Sequence, residues 1–225
     1  MAHSTILKLL SVCLALCFSS SISAPVIYDG TTALSKRASD LDDLWRSIPS
    51  GQKAQGDSAK YFKIDRTVSN AWGITYLYGC AGILISDPDF VIVAHLQEVG
   101  SGDQSKCQLG DIDVVNKFIE DKLSVATSEH EATPDTRIDF IYGASQRGDA
   151  PAGIQAFKDH FIDFFEATEN QIHNWVYSGG SGTGDSPGTP YGKAVVQWIK
   201  GDTAPEGTLK VFYNQETPIR NDVFA

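Results

Sequence analysis

The stretch Tyr78-Gly79-Cys80-Ala81-Gly82-Ile83-Leu84-Ile85-Ser86-Asp87-Pro88-Asp89-Phe90-Val91-Ile92-Val93-Ala94-His95-Leu96 decides how the chain folds. Residues 82–85 and 90–95 are apolar runs rich in β-branched side chains. Asp87-Pro88-Asp89 between them is a turn signal, because proline ends a ladder and aspartate bonds to its own following backbone. The stretch predicts a β-hairpin. An antiparallel pair joined there brings the beginning of the first strand beside the end of the second, where Cys80 and His95 lie.

Further strands are expected over 61–64 and 74–78 before the hairpin. After it, Ile112, Val115, Phe118, Ile119 and Leu123 recur at helical spacing, with Asp111 near the start where it favours the helix dipole. Residues 137–142 read as a buried strand. Residues 153–167 read as a second helix, with Ile154, Phe157, Phe161, Ile162, Phe164 and Phe165 largely on one face; a Phe-rich stripe of this spacing is core. A strand over 173–177, a Gly-rich loop over 178–192 and a closing hairpin of 194–199 with 209–213 complete the order. The polar segment 38–56 is expected to form a short helix or an arm packed through Trp45. No linker divides this order, so the expectation is one α/β domain: a layered mixed sheet covered by helices.

The composition agrees with a packed domain, since 42% of 225 residues are hydrophobic. A net charge of −10 repels phosphate backbones and anionic headgroups, which argues against nucleic-acid and membrane partners. A polar start with Lys8, an apolar run over 9–18 and small residues over 19–24 read as a secretory signal peptide over 1–24; the run is too short to span a bilayer. Residues 25–37 end in Lys36-Arg37, which resembles a dibasic pro-peptide site; a chance pair in a loop is the alternative. Cleavage there leaves a catalytic-type domain over 38–225 with 27 acidic against 15 basic residues, and so a secreted, extracellular protein of net charge −12.

The chemistry begins with Cys80 and His95. A thiol beside an imidazole forms a thiolate–imidazolium pair; the thiolate attacks an amide carbon and the imidazolium protonates the departing amine. Gly79 and Gly82 leave room for a substrate near the backbone and offer N–H groups to an oxyanion. Thr75 is the candidate third group, its hydroxyl or carbonyl orienting the imidazole.

Gly-Cys, a strand, Asp-Pro, a second strand and Ala-His together resemble the catalytic hairpin of the CheD-like chemoreceptor glutamine deamidases. The Cys–His spacing also resembles that of the cytotoxic necrotizing factor toxins, which share the deamidase fold. Ile138-Asp139-Phe140-Ile141-Tyr142-Gly143-Ala144-Ser145 resembles the strand and Gly-Ala-Ser loop of the same family, and the element order over about 60–215 follows it. The resemblance implies a CheD-like fold and a cysteine amidohydrolase that turns a glutamine side chain of a target protein into glutamate. It implies Cys80 as nucleophile, His95 as general acid/base and no cofactor. Thr75 departs from the pattern by one residue, and Cys107 has no counterpart in it.

The rival reading of Cys80 is a structural disulfide with Cys107, the one other cysteine beyond the signal segment. It would make the chain a non-catalytic secreted binding protein. Both readings hold together if the bond latches an effector until a reducing compartment opens it. A small-amide or peptide hydrolase with the same dyad differs only in substrate. His130, His160 and His173 read as surface or packing residues. No HExxH, no CxxC and no phosphate-loop ending appears, so neither a metal nor a nucleotide is expected.

Overall fold

The computed structural model describes residues 41–75, 77, 81–97, 108–144, 151–178, 192–215 and 217–224. Among them the chain is mixed α/β, with two five-stranded mixed sheets and a few helices. Helix α1 spans 41–47. The strands are β1 (Lys53–Ala54), β2 (Ser58–Lys63), β3 (Asn70–Ile74), β4 (Ala81–Ser86) and β5 (Phe90–Leu96), then β6 (Arg137–Ala144), β7 (Ile172–Ser178), β8 (Ala194–Lys200), β9 (Gly207–Tyr213) and β10 (Arg220–Phe224). Between β5 and β6 lie α2 (Ile112–Phe118), a π-helical turn (Ile119–Leu123) and α3 (Ser124–Thr127); between β6 and β7 lies α4 (Pro151–Asp159), running into a second π turn (His160–Phe164).

The expected hairpin is β4–β5, antiparallel, with Gly82 opposite His95 and Ser86 opposite Val91. Asp87 makes its turn: Oδ1 accepts the amides of Asp89 at 2.7 Å and Phe90 at 3.1 Å, while Oδ2 accepts the hydroxyls of Thr133 and Thr136, each at 3.2 Å. The hairpin is thereby tied to the loop that launches β6. Asp111 caps α2 as its position suggests, accepting from the Val114 amide at 3.3 Å.

Where a single layered sheet was expected, the strands divide into two sheets. One has the order β2-β5-β4-β6-β7 and the other β1-β3-β8-β9-β10. They face each other across a core built from Leu84, Val91, Val93 and Ile141 on one side and Trp72, Ile74, Val196, Trp198, Leu209 and Val211 on the other. The alternate residues Ala81, Ile83, Ile85, Phe90, Ile92 and Ala94 turn outward beneath the helices, against Val115, Phe118, Phe157 and Phe161. Strands β4 and β5 are therefore buried on both faces, which is why they read as unbroken apolar runs. A smaller core of Leu41, Trp45, Ile48, Ala71 and Val195 seats α1 on the outer face of the second sheet. There Lys193, wholly buried, pairs with Asp42 at 3.1 Å, and Lys53 Nζ lies 3.8 Å from the Trp45 ring centre.

The strand expected over 74–78 is displaced: β3 runs from Asn70 to Ile74, pairing with β8 from Trp198 to Ala194. Beyond Ile74, the Leu77 amide donates to the Gly192 carbonyl at 3.2 Å. Strands β1 and β10 had no clear sequence signal. Among the described residues no helix is long and apolar enough to cross a membrane.

Candidate functional site

His95 sits near the end of β5, between Ser58 of β2 and Gly82 of β4. Alternation turns it to the same face as Val93 and Val91, into the layer between the sheets, where it is 1% exposed. Neither ring nitrogen makes a hydrogen bond of good geometry, although the Gly56 backbone is near enough to favour the protonated ring. Burial holds its pKa below the usual histidine value, offset in part by the backbone of Gly56 and the charge of Asp57. The neutral ring is therefore favoured at pH 7.

Thr75 directly follows β3 in the facing sheet and is completely buried, its Oγ1 also without a partner. The structure thus puts Thr75 and His95 in the interior, but no hydrogen bond joins them, from hydroxyl or from carbonyl. Gly82 has a packing explanation: a Cβ there would meet Leu77 Cδ2 at 2.8 Å and Ile74 Cδ1 at 3.4 Å. The space a side chain would fill is occupied by the end of the Leu77 side chain, so close packing gives a reason for the glycine. Cys80, Cys107, Gly79 and the Gly-rich run over 179–184 lie outside the described residues, as do the signal and pro-peptide segments over 1–37.

The other histidines take packing positions. His130 stacks on Phe90 with ring centres 4.4 Å apart and bonds through Nδ1 to the Glu131 carbonyl at 2.8 Å. His160, in the second π turn, stacks on Phe164 at 5.0 Å, and its Nε2 lies 3.2 Å from Thr127 Oγ1. The Thr127 hydroxyl donates to the Leu123 carbonyl at 2.9 Å, so His160 supplies the proton of the second bond. Burial lowers its pKa to about 4. His173 lies on β7 opposite Asp139 in the parallel β6–β7 ladder. Among the described residues no group of three or more His, Cys, Asp or Glu side chains is placed to hold a metal ion.

A second polar cluster escaped the sequence reading. Asp139, wholly buried on β6, accepts from Trp175 Nε1 at 3.0 Å and pairs with Arg220 of β10 at 3.2 Å. Arg220 also donates to Ser86 Oγ and lies 3.3 Å from the Asp222 carboxylate. Burial raises the Asp139 pKa and outweighs the lowering by Arg220 and Trp175. The available signal was an aspartate inside the apolar run Ile138-Asp139-Phe140-Ile141, which demands a buried partner.

No protein-family model matches the chain, and no curated protein matches it.

Proposed function

We infer that the protein is a secreted, cysteine-dependent amidohydrolase, acting on a glutamine side chain of a target protein after the manner of an effector or toxin. The observation that carries the reading is His95: an imidazole in the interior whose ring nitrogens make no well-formed hydrogen bond, directly across from Gly82, which follows Cys80 by two residues in the sequence.

In this reading His95 takes the Cys80 thiol proton. The thiolate then attacks the side-chain amide carbon, forming a C–S bond, and ammonia leaves with the proton that His95 returns. Water, deprotonated by the same imidazole, breaks the C–S bond of the thioester, leaving glutamate on the target and restoring the thiol. Asp-Pro hairpin, Gly-Cys and Ala-His support the likeness to CheD-like deamidases, and the order of strands and helices is compatible with it.

The competing reading is a non-catalytic secreted binding protein with a Cys80–Cys107 disulfide, which the presence of two cysteines beyond the signal segment favours. The test is a proteome incubated with reduced chain 38–225. Modified target peptides should gain about 1 Da at a glutamine, with ammonia released, and Cys80→Ala should remove the signal. Unchanged activity in Cys80→Ala, or a Cys80 that no thiol reagent reaches even after reduction, overturns the mechanism.

A further inference from the structure

We propose that the protein forms a two-fold dimer through β7, whose open edge takes the β7 of a second copy as an added antiparallel strand. The inference is independent of the amidohydrolase reading, and three observations carry it.

The first is that β7 is an edge. It ends the first sheet, in a parallel ladder with β6 that runs from Ile138 opposite Ile172 to Ala144 opposite Ser178. Among the described residues no other strand pairs with it, and no turn or loop backbone bonds to it. A strand bonded on one side presents N–H and C=O groups along the other, which is a template for a further strand.

The second is how the edges of the two sheets differ. Strand β1 is two residues long. Strand β2 carries Lys60 and Lys63, and β10 carries Arg220 and Asp222. Shortness and charge are the devices that keep edges from pairing. Strand β7 uses neither: Ile172-His173-Asn174-Trp175-Val176-Tyr177-Ser178 is seven residues without a Lys, Arg, Asp, Glu or Pro.

The third is the setting of its side chains. Ile172 packs against the core beneath the helices, and Trp175 packs toward the layer between the sheets, its Nε1 donating to Asp139 at 3.0 Å. The strand is thus held extended before anything joins it, so an added strand meets little ordering cost. Further along the Ile172 face, Asn174 is exposed and Val176 is 55% exposed.

Charge and symmetry select the occupant. At a net charge of −10, two copies repel each other wherever carboxylates meet. Strand β7 brings none to the contact. A copy related by a two-fold axis offers the same edge in reverse, so the edge is its own complement and the assembly closes after one addition. The dimer joins two five-stranded sheets into one and brings the partner's strand beside Val176.

The test is sedimentation of the purified chain in reducing buffer, where no intermolecular disulfide contributes. Wild type should be dimeric at about 10 µM and above. Val176→Lys gives β7 the charge that the other edges carry and should weaken association by about tenfold or more. Val223→Lys, at a position on β10 that is 74% exposed, removes a more exposed apolar side chain and should leave the dimer unchanged. Asn174→Lys should repeat the effect of Val176→Lys, and serves in its place if that variant does not fold. Amide hydrogen exchange of β7 should slow with rising concentration in wild type and not in the β7 variants. A wild type that stays monomeric to about 100 µM, a dimer that Val223→Lys weakens as much as Val176→Lys, or β7 amides indifferent to concentration overturns the proposal.

Discussion

The two ends of the layer between the sheets treat buried polar groups in opposite ways. At one end Asp139 and Arg220 face each other across the sandwich, joined by Ser86, Trp175 and Asp222. At the other, about 13 Å along β4 by strand geometry, His95 and Thr75 are equally buried and have no hydrogen bonds. The first end joins its polar groups through ion pairs that hold β10 of one sheet to β6 of the other, although Asp139 Oδ2, Arg220 Nε and Arg220 Nη1 have no hydrogen-bond partner there either. The second leaves proton-accepting atoms uncommitted. An unpartnered buried polar group costs about 1–3 kcal/mol. Trp72 and Trp198 also lack partners for their indole N–H groups in this layer, but an indole neither takes up a proton nor titrates.

The sharpest way to break the comparison is at the paired end. Arg220→Met should cost about 3–5 kcal/mol in denaturant unfolding, because it strands Asp139 as a buried carboxylate. The pair-replacing variant Arg220→Met with Asp139→Leu should recover most of that loss, since removing both charges also removes the demand for a partner. A single variant costing under about 1 kcal/mol would show the cluster to be as loosely committed as the His95 end.

A second test asks whether burial by itself, without loss of partners, makes a histidine resist protonation. His160 is buried yet bonded to Thr127, and its pKa falls from an ordinary 6.5 to about 4. Between those values the unfolded chain binds the proton and the folded chain does not, so stability must decline as pH drops from about 6.5 toward 4. With allowance for partial exposure the loss is about 2 kcal/mol by the lower limit. Asp87 and Asp139, whose carboxyl pKa values burial raises, act in the reverse sense in acid, so the histidine must be isolated by substitution. His160→Gln keeps a donor for Thr127 and cannot titrate; its stability difference between pH 7 and pH 4.5 should be smaller than that of the wild type. Equal differences would mean that the ring protonates inside the fold without penalty.

The paired end and the unpaired end were not equally legible in the sequence. The β4–β5 hairpin was, because two apolar runs enclose Asp87-Pro88-Asp89, and the covering helices were, from the spacing of Val115, Phe118 and Leu123 and of Phe157 and Phe161. The division into two sheets was hidden by the same runs: strands buried on both faces show no alternation, and so do not say which residues face a second sheet. The Asp139–Arg220 pair was hidden by distance along the chain, since β10 has the exposed, alternating character of an edge strand and nothing near it announces a partner in β6. His95 was found through Cys80, from chemistry and not from periodicity. Thr75 was chosen for its nearness to Cys80 in sequence, which says nothing about the direction of a hydroxyl once β3 has ended at Ile74.

The smallest expected effect has the most informative sign. Thr75→Val replaces a buried hydroxyl that has no partner with a methyl group of the same branched shape, so it should leave the fold intact and raise stability by up to about 1 kcal/mol. His95→Leu should likewise cost little, unlike any apolar replacement of Asp139 alone, which would leave Arg220 charged in the interior. Thermal melts of the four single variants make the contrast direct. If Thr75→Val destabilises by 1 kcal/mol or more, the hydroxyl has a partner in solution and the His95 end is cohesive after all. If it stabilises, the wild-type hydroxyl is a net cost to the fold, as an unpartnered buried polar group should be.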